Sequence, residues 1–112
     1  MKMEIITHNE IAGYHCWENA PVTVGFLKFK HRHIFIIECK FPVTDDNRQI
    51  EFILQQQLIE AFIRDKYGIP AEFHDMSCEM IAKDILQWFP NASECEIRED
   101  GYGGAVVRRS RC

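Results

Sequence analysis

Apolar and polar residues alternate along much of the first 43 residues, and this pattern predicts β-structure. From about Phe26 to Val43, the positions predicted to share one face of a strand are His31, His33, Phe35, Ile37, Cys39 and Phe41. Residues Met3 to about Trp17 mix β-branched, aromatic and polar types, which predicts an earlier strand or hairpin arm with a bulge or bend at Gly13. Residues 18–25 contain turn formers and are predicted to be a loop.

Two segments in the middle of the chain have helical periodicity. The first follows Thr44-Asp45-Asp46-Asn47, whose side-chain oxygens can cap a helix, and it is predicted to end at Gly68 and Pro70. The second is predicted to begin near Ser77 and to end at Pro90-Asn91. The predicted apolar stripes are Ile50, Ile53, Leu54, Gln57, Leu58, Ala61 and Phe62 in the first helix, and Ile81, Ala82, Ile85, Trp88 and Phe89 in the second.

The C-terminal part of the chain is predicted to be a β-hairpin. Ala92 to Glu99 alternates, residues 100–104 are rich in turn formers, and Ala105 to Arg109 returns as the second strand. The predicted order of elements is therefore β-β-α-α-β-β in a single α+β domain over residues 1–112. The length of 112 residues, with 46% apolar and 27% charged residues, favours one soluble folded domain over a disordered chain.

The charge and cysteine content narrow the functional classes. A net charge of -4 argues against a general nucleic-acid binder, although Arg108, Arg109 and Arg111 cluster near the C-terminus as either a solvated tail or an accessory nucleic-acid contact. The five cysteines include no C-x-x-C pair, which favours a reducing compartment over a disulfide framework. No signal-peptide core and no apolar run of about 20 residues occurs, so a cytoplasmic location without membrane contact is expected.

Three histidines form the strongest candidate for chemistry. His31 and His33 are two residues apart on a predicted strand, so their Cβ atoms lie on one side at roughly 6–7 Å. Both imidazoles can converge on one metal ion, and His15 on the preceding strand can supply a third nitrogen. Three histidine ligands leave one position open, which is typical of a catalytic zinc site. The alternative is that they are ordinary surface or hydrogen-bonded histidines.

Several carboxylates have both a structural and a functional interpretation. Glu51 and Glu79 lie in predicted first helical turns, where an acidic side chain complements the helix dipole. Glu99 and Asp100 end the third predicted strand, and Asp before Gly is ordinary turn chemistry. The functional alternative for this pair is a carboxylate that accepts two N–H donors from a flat heterocycle.

Other polar residues carry weaker signals. His74 or Asp75, adjacent in the loop before the second helix, could act as a general acid or base. Cys16 follows His15 directly and is expected to point to the opposite face of the strand. His8 has no partner by spacing and is expected to be structural.

Five short motifs in this order resemble the 6-pyruvoyl-tetrahydropterin synthase family, which includes the carboxy-tetrahydropterin synthase of queuosine biosynthesis and has the tunnelling fold. The similarity spans about Ile5 to Val107. The motifs are Gly13-Tyr14-His15, His31-Arg32-His33, Glu51-Phe52, Ser77-Cys78-Glu79-Met80-Ile81-Ala82 and Arg98-Glu99-Asp100. They are similar to the family's first zinc histidine, its His-Gly-His, its Asp-Phe, its Thr-Ser-Glu-Asn with Ile-Ala, and the late Glu that anchors the pterin ring.

This resemblance implies an architecture and a set of roles. It implies an antiparallel four-stranded sheet with two helices on one face, and homo-oligomers in which strand edges pair to close a β-barrel and bury Phe35 and Ile37. It implies Zn²⁺ on His15, His31 and His33, ligand binding by Glu99 and Glu79, and proton transfer by His74 or Asp75. The sites would lie at subunit interfaces, where Glu99 of one subunit approaches the metal of another.

The chain also departs from the family pattern. The family's catalytic cysteine lies a few residues before His-Gly-His, but residues 25–30 contain no cysteine. His74-Asp75 reverses the family's Asp-His order, and Arg32 replaces its central Gly. The leading expectation is a zinc-dependent lyase acting on a pterin such as dihydroneopterin triphosphate. The alternative is a non-catalytic module that binds a pterin- or purine-like ligand.

Overall fold

The computed structural model describes residues 1–110 and has an α+β fold built on one mixed sheet. The strands are β1 (Met3–His15), β2 (His31–Val43), β3 (Ala71–Glu72), β4 (Glu94–Glu99) and β5 (Gly103–Arg108). The helices are a 3₁₀ helix (Val22–Lys28), α1 (Phe52–Tyr67) and α2 (Cys78–Trp88). The strand order is β3-β1-β2-β4-β5, with β3 parallel to β1 and the other neighbours antiparallel. The α+β class is confirmed, but the sheet has five strands because a short β3 forms in the predicted inter-helix loop.

The long β1–β2 ladder determines which side chains share a face. It runs from the pair Met3 and Val43 to the pair His15 and His31 without a register slip, so odd-numbered residues of both strands lie on one side. The bulge or bend predicted at Gly13 is therefore absent from this ladder. Gly13 instead allows close packing, since an added Cβ would lie 3.1 Å from the Ala71 carbonyl oxygen.

Both α-helices cover the odd-numbered face of the sheet. Ile59 and Ile63 of α1 and Ile81 and Ile85 of α2 are fully buried in one cluster with strand residues such as Phe35, Ile37 and Ile97. Phe35 and Ile37 are thus already buried within one chain, so the expectation that barrel closure buries them was wrong. Their alternation with less buried neighbours agrees with the prediction, but the helices, and not a second subunit, provide the cover.

Helix α1 differs from its prediction in both its start and its buried face. The cap is Glu51, whose carboxylate accepts a hydrogen bond from the Leu54 N–H at 3.0 Å, so the helix begins later than Thr44-Asn47 suggested. Leu54 and Leu58 are more than half exposed. The face toward β1 passes through Gln56, whose carbonyl accepts from the Asn9 side chain at 2.9 Å. Apolar residues on two sides of this helix made the periodicity ambiguous.

Helix α2, strand β2 and the C-terminal hairpin agree better with the elements predicted from the sequence. Ser77 caps α2 by accepting from the Met80 N–H at 3.2 Å, as predicted, but Trp88 is 65% exposed and stacks on Phe62. Strand β2 begins at His31, and not near Phe26, because residues 22–28 form the 3₁₀ helix. The C-terminal hairpin forms as predicted. Within residues 1–110, no helix combines the length and apolar character needed to cross a bilayer.

Candidate metal centre

The sheet register brings the three predicted histidines together. His15 and His31 are directly opposite on β1 and β2, and His33 lies two residues along β2 on the same face. The ring centroids are 4.6 Å apart for His15 and His31, 4.8 Å for His31 and His33, and 5.3 Å for His15 and His33. Each ring offers one nitrogen, and these nitrogens lie within 4.8 Å of one another. The cluster could therefore hold a metal ion.

Each of the three rings is held through its Nδ1 atom by an oxygen that can only accept a hydrogen bond. The pairs are His15 with the Met76 carbonyl at 3.0 Å, His31 with the Phe29 carbonyl at 2.9 Å, and His33 with the Asp100 carboxylate at 2.6 Å. Nδ1 therefore carries a proton in each ring, and Nε2 is the atom that could coordinate a metal. In His15 and His33 this Nε2 atom also lies beside the carboxylate of Glu99. In metal-binding histidines, the ring nitrogen that does not coordinate the metal usually donates a hydrogen bond to an oxygen of this kind.

Glu99 lies beside the same nitrogens. It ends β4 opposite Phe35, with Oε1 2.9 Å from His15 Nε2 and Oε2 3.3 Å from His33 Nε2. The hydrogen bond from His15 holds the pKa of Glu99 below its ordinary value, although burial acts the other way. Burial also acts to lower the pKa of His15, but the hydrogen bonds to Glu99 and Met76 outweigh it and leave that pKa raised.

The contacts of Glu99 suggest two chemical uses for its carboxylate. Ligand atoms about 2.0–2.1 Å from a tetrahedral zinc lie roughly 3.3 Å from each other, close to the Glu99–His33 separation. His33 Nε2 is buried and, although Glu99 Oε2 lies 3.3 Å away, it forms no hydrogen bond. A bound cation would satisfy such a polar atom. Glu99 can thus complete a set of metal ligands or hold a second ligand next to the ion.

Asp100 has a role that its sequence context did not reveal. Its turn-forming interpretation is correct, since it has a φ of 54° and its N–H donates to the Ile34 carbonyl at 2.9 Å. Its carboxylate also accepts from the Ile34 N–H at 2.7 Å and from His33. The Ile34 N–H and then His33 hold the pKa of Asp100 below its ordinary value. The only sequence signal was its place directly after Glu99.

A cleft of about 410 Å³ opens beside the histidines, between the start of α2 and the C-terminal hairpin. Its apolar walls include Trp17, Leu27, Met76 and Met80. Its charged lining consists of carboxylates, from Asp75, Glu79 and Glu99, together with the imidazoles of His15 and His31. The site therefore combines a potential cation, acceptor oxygens and an indole surface, which suit a flat ligand that is rich in N–H groups.

The predicted acid–base residues are placed unequally. Asp75 lines the cleft beside the histidines, and it also lines a neighbouring cleft of about 410 Å³ that contains Lys30 and Glu72. His74 lines only the neighbouring cleft, and its side chain is 78% exposed. Glu79 lies in the first turn of α2 and faces the cleft beside the histidines. The structure thus brings Asp75, Glu79 and Glu99 together and leaves His74 to one side.

Two cysteines lie at the same cleft. Cys78 is buried, and its thiol donates to Glu99 Oε1 at 3.5 Å. Burial, with the charge of Glu99, raises the pKa of Cys78 to about 12, so this thiol stays protonated at neutral pH. Cys16 also lines the cleft. Because β1 ends at His15, the strand alternation does not fix the direction of Cys16, and the expectation that its thiol points to the opposite face stays a prediction.

His8 and the described arginines of the C-terminal basic cluster make ordinary structural contacts. His8 is exposed and contacts Glu10 at 2.9 Å and Glu38 at 3.1 Å; these two hydrogen bonds raise its pKa. Arg109 donates to the carbonyls of Leu86, Phe89 and Ala92 at the end of α2. Arg108 contacts Glu94 at 3.2 Å. Arg111, the third member of the predicted basic cluster, lies outside the described residues.

The sequence matches no protein-family model and no curated protein.

Proposed function

We propose that this protein is a zinc-dependent lyase that acts on a pterin-like heterocycle. The observation that carries the proposal is a cluster of three imidazoles that each offer one nitrogen within 4.8 Å of the others and are each held through Nδ1 by an oxygen acceptor. Three imidazoles with one open position suit zinc, and this arrangement is typical of catalytic zinc sites. When bound, the ion would polarise hydroxyl or carbonyl oxygens of the substrate side chain.

The cleft supports a heterocyclic ligand. Glu99 has a lowered pKa and is therefore an ionised acceptor, so it can take two N–H donors from one edge of a flat ring. Trp17 offers an aromatic surface in the same cleft, against which such a ring can stack. In this proposal Glu79 adds a second acceptor at the start of α2, and Asp75 moves protons at the substrate side chain.

A non-catalytic binding protein on the same scaffold is the second candidate. Two observations favour it. The His74 ring lies away from the cleft beside the histidines. The Cys78 thiol, with its pKa of about 12, stays protonated at neutral pH and so offers no base. In that case the metal and Glu99 would retain a pterin- or purine-like compound without transforming it.

Turnover and binding separate the two candidates. Zinc-loaded protein is incubated with dihydroneopterin triphosphate. The His31→Ala variant removes a proposed metal ligand, and His74→Ala, whose ring lies away from the cleft, is the matched control. A lyase gives zinc-dependent loss of substrate that His31→Ala abolishes. A binder gives no turnover but retains neopterin or guanine at micromolar concentration. Absence of both turnover and retention would contradict both candidates.

We also propose that the chain assembles into a homo-oligomeric barrel of the tunnelling type. The outer edge of β5 has no strand partner among residues 1–110, and Ile6 and Val106, on the face away from the helices, are 56% and 38% exposed. Pairing of strand edges between copies would use this free edge and cover such side chains. Cys39 and Cys95 are directly opposite on neighbouring strands and buried, and they form no disulfide bond, which supports the proposal of a reducing cytoplasm. Light scattering after gel filtration measures the assembly, and a monomer would contradict it.

A further inference from the structure

Asp100 joins the turn of the C-terminal hairpin to one histidine of the metal cluster. Each of its two carboxylate oxygens has a different partner: Oδ1 accepts the Ile34 N–H at 2.7 Å, and Oδ2 is 2.6 Å from His33 Nδ1. His15 and His31 have backbone carbonyls in the same role, so His33 is the one ring of the three whose Nδ1 is held by a side chain.

We propose that Asp100 is a positioning residue that keeps the proton of His33 on Nδ1 and thereby presents Nε2 to the metal. The inference rests on the proposed zinc site, and it adds a residue to which no role at the metal was assigned. A carboxylate has only acceptor oxygens, so it pairs with the Nδ1–H form of a neutral imidazole. The opposite tautomer would place a proton on Nε2, where it blocks coordination.

The substitution Asp100→Asn isolates this function from the structure of the turn. Asparagine tolerates the left-handed conformation that Asp100 adopts, with its φ of 54°. Its carbonyl oxygen can still accept the Ile34 N–H, and its NH₂ group then faces His33 Nδ1. An amide donor at that point favours a lone pair on Nδ1 and a proton on Nε2. The variant should therefore fold normally while His33 takes the wrong tautomer.

The first measurement uses metal-free protein and needs no ligand. Nitrogen NMR at about pH 8.5, above the ordinary pKa of an imidazole, distinguishes the two neutral tautomers of a histidine ring. The wild-type protein should show the Nδ1–H form at both His31 and His33. In Asp100→Asn only His33 should change to the Nε2–H form, because His31 is held by a backbone carbonyl.

The second measurement is zinc affinity, determined by competition with a chromophoric chelator. Loss of an outer-shell partner weakens metal binding by about 10–100-fold, and we expect Asp100→Asn to fall in this range. Asp65→Asn is the matched control, since Asp65 is an exposed residue of α1 with an 81% exposed side chain. That control should bind zinc as the wild type does.

The outcomes distinguish the role of Asp100 from the existence of the zinc site. An unchanged His33 tautomer, or equal zinc affinity in the wild type and Asp100→Asn, overturns the role of Asp100 and leaves the zinc site standing. A wild-type protein that binds no zinc overturns the proposed function and the role of Asp100 with it. A tautomer change confined to His33 together with the weaker affinity supports both.

Discussion

Replacement of Arg109 by alanine should destabilise the protein far more than the same change at Arg108. The Arg109 guanidinium donates to the Leu86 carbonyl at 2.8 Å and to the Ala92 carbonyl at 3.0 Å, with a longer contact of 3.3 Å to the Phe89 carbonyl. The Leu86 and Phe89 groups lie at the C-terminal end of α2, where carbonyls lack partners within the helix. The arginine thus acts as a side-chain cap.

The size of the effect follows from these contacts. Because the side chain is exposed, we take the typical net value of about 1 kcal/mol for each of the two short hydrogen bonds, below the range for hydrogen bonds to charged groups, which gives a loss of about 2 kcal/mol. That corresponds to a decrease in Tm of roughly 8 °C for a domain of this size. Arg108 makes one exposed contact with Glu94, and its replacement should cost below about 1 kcal/mol.

Urea unfolding followed by circular dichroism measures both variants under identical conditions. Equal free energies of unfolding for Arg109→Ala and Arg108→Ala would refute the capping argument. The pair also tests the basic cluster as a nucleic-acid contact. If that contact existed, salt-dependent DNA binding would weaken in both variants, whereas unchanged DNA binding in both would contradict it.

Two further predictions concern the hairpin and the pH dependence of stability. Gly104→Ala should destabilise by about 2 kcal/mol or more, because its Cβ would lie 1.7 Å from the Ile97 carbonyl oxygen, whereas Gly103→Ala, with open space, should cost far less; chemical unfolding of both variants tests this. The raised pKa of His8 means that its two glutamate contacts stabilise the fold below about pH 6.5 and that this stabilisation is lost as the pH rises. His8→Gln should lower the free energy of unfolding by less than about 1 kcal/mol at about pH 5.5 and leave it unchanged at about pH 8.5. An equal effect at both values would contradict the second prediction.

The strand pattern predicted much of what positions the site. Period-two alternation placed His31 and His33 on the face that also carries Phe35, and the regular ladder then set His15 opposite His31. Alternation is reliable here because one face is buried and a slip of one residue would expose every core side chain. The proximity of the three rings is therefore a consequence of the register between β1 and β2, and the alternating pattern of the sequence predicts that register.

The features that the sequence did not predict depend on contacts between segments that are distant along the chain. The buried face of α1 was missed because Leu54 and Leu58 are apolar but exposed, and the choice of face depends on where Gln56 meets β1. The Cys78 thiol reaches Glu99 only because α2 packs beside the hairpin. The carbonyls that hold His15 and His31 carry no side-chain signature, so no residue pattern could identify them.

Zinc content tests the central claim most directly. The purified protein is loaded with zinc, desalted and subjected to elemental analysis, in parallel with His31→Ala and His33→Ala. The three convergent imidazoles predict about one zinc per chain in the wild type and loss of bound zinc in both variants. A wild-type protein that retains no zinc, or variants that retain as much as the wild type, would contradict the account.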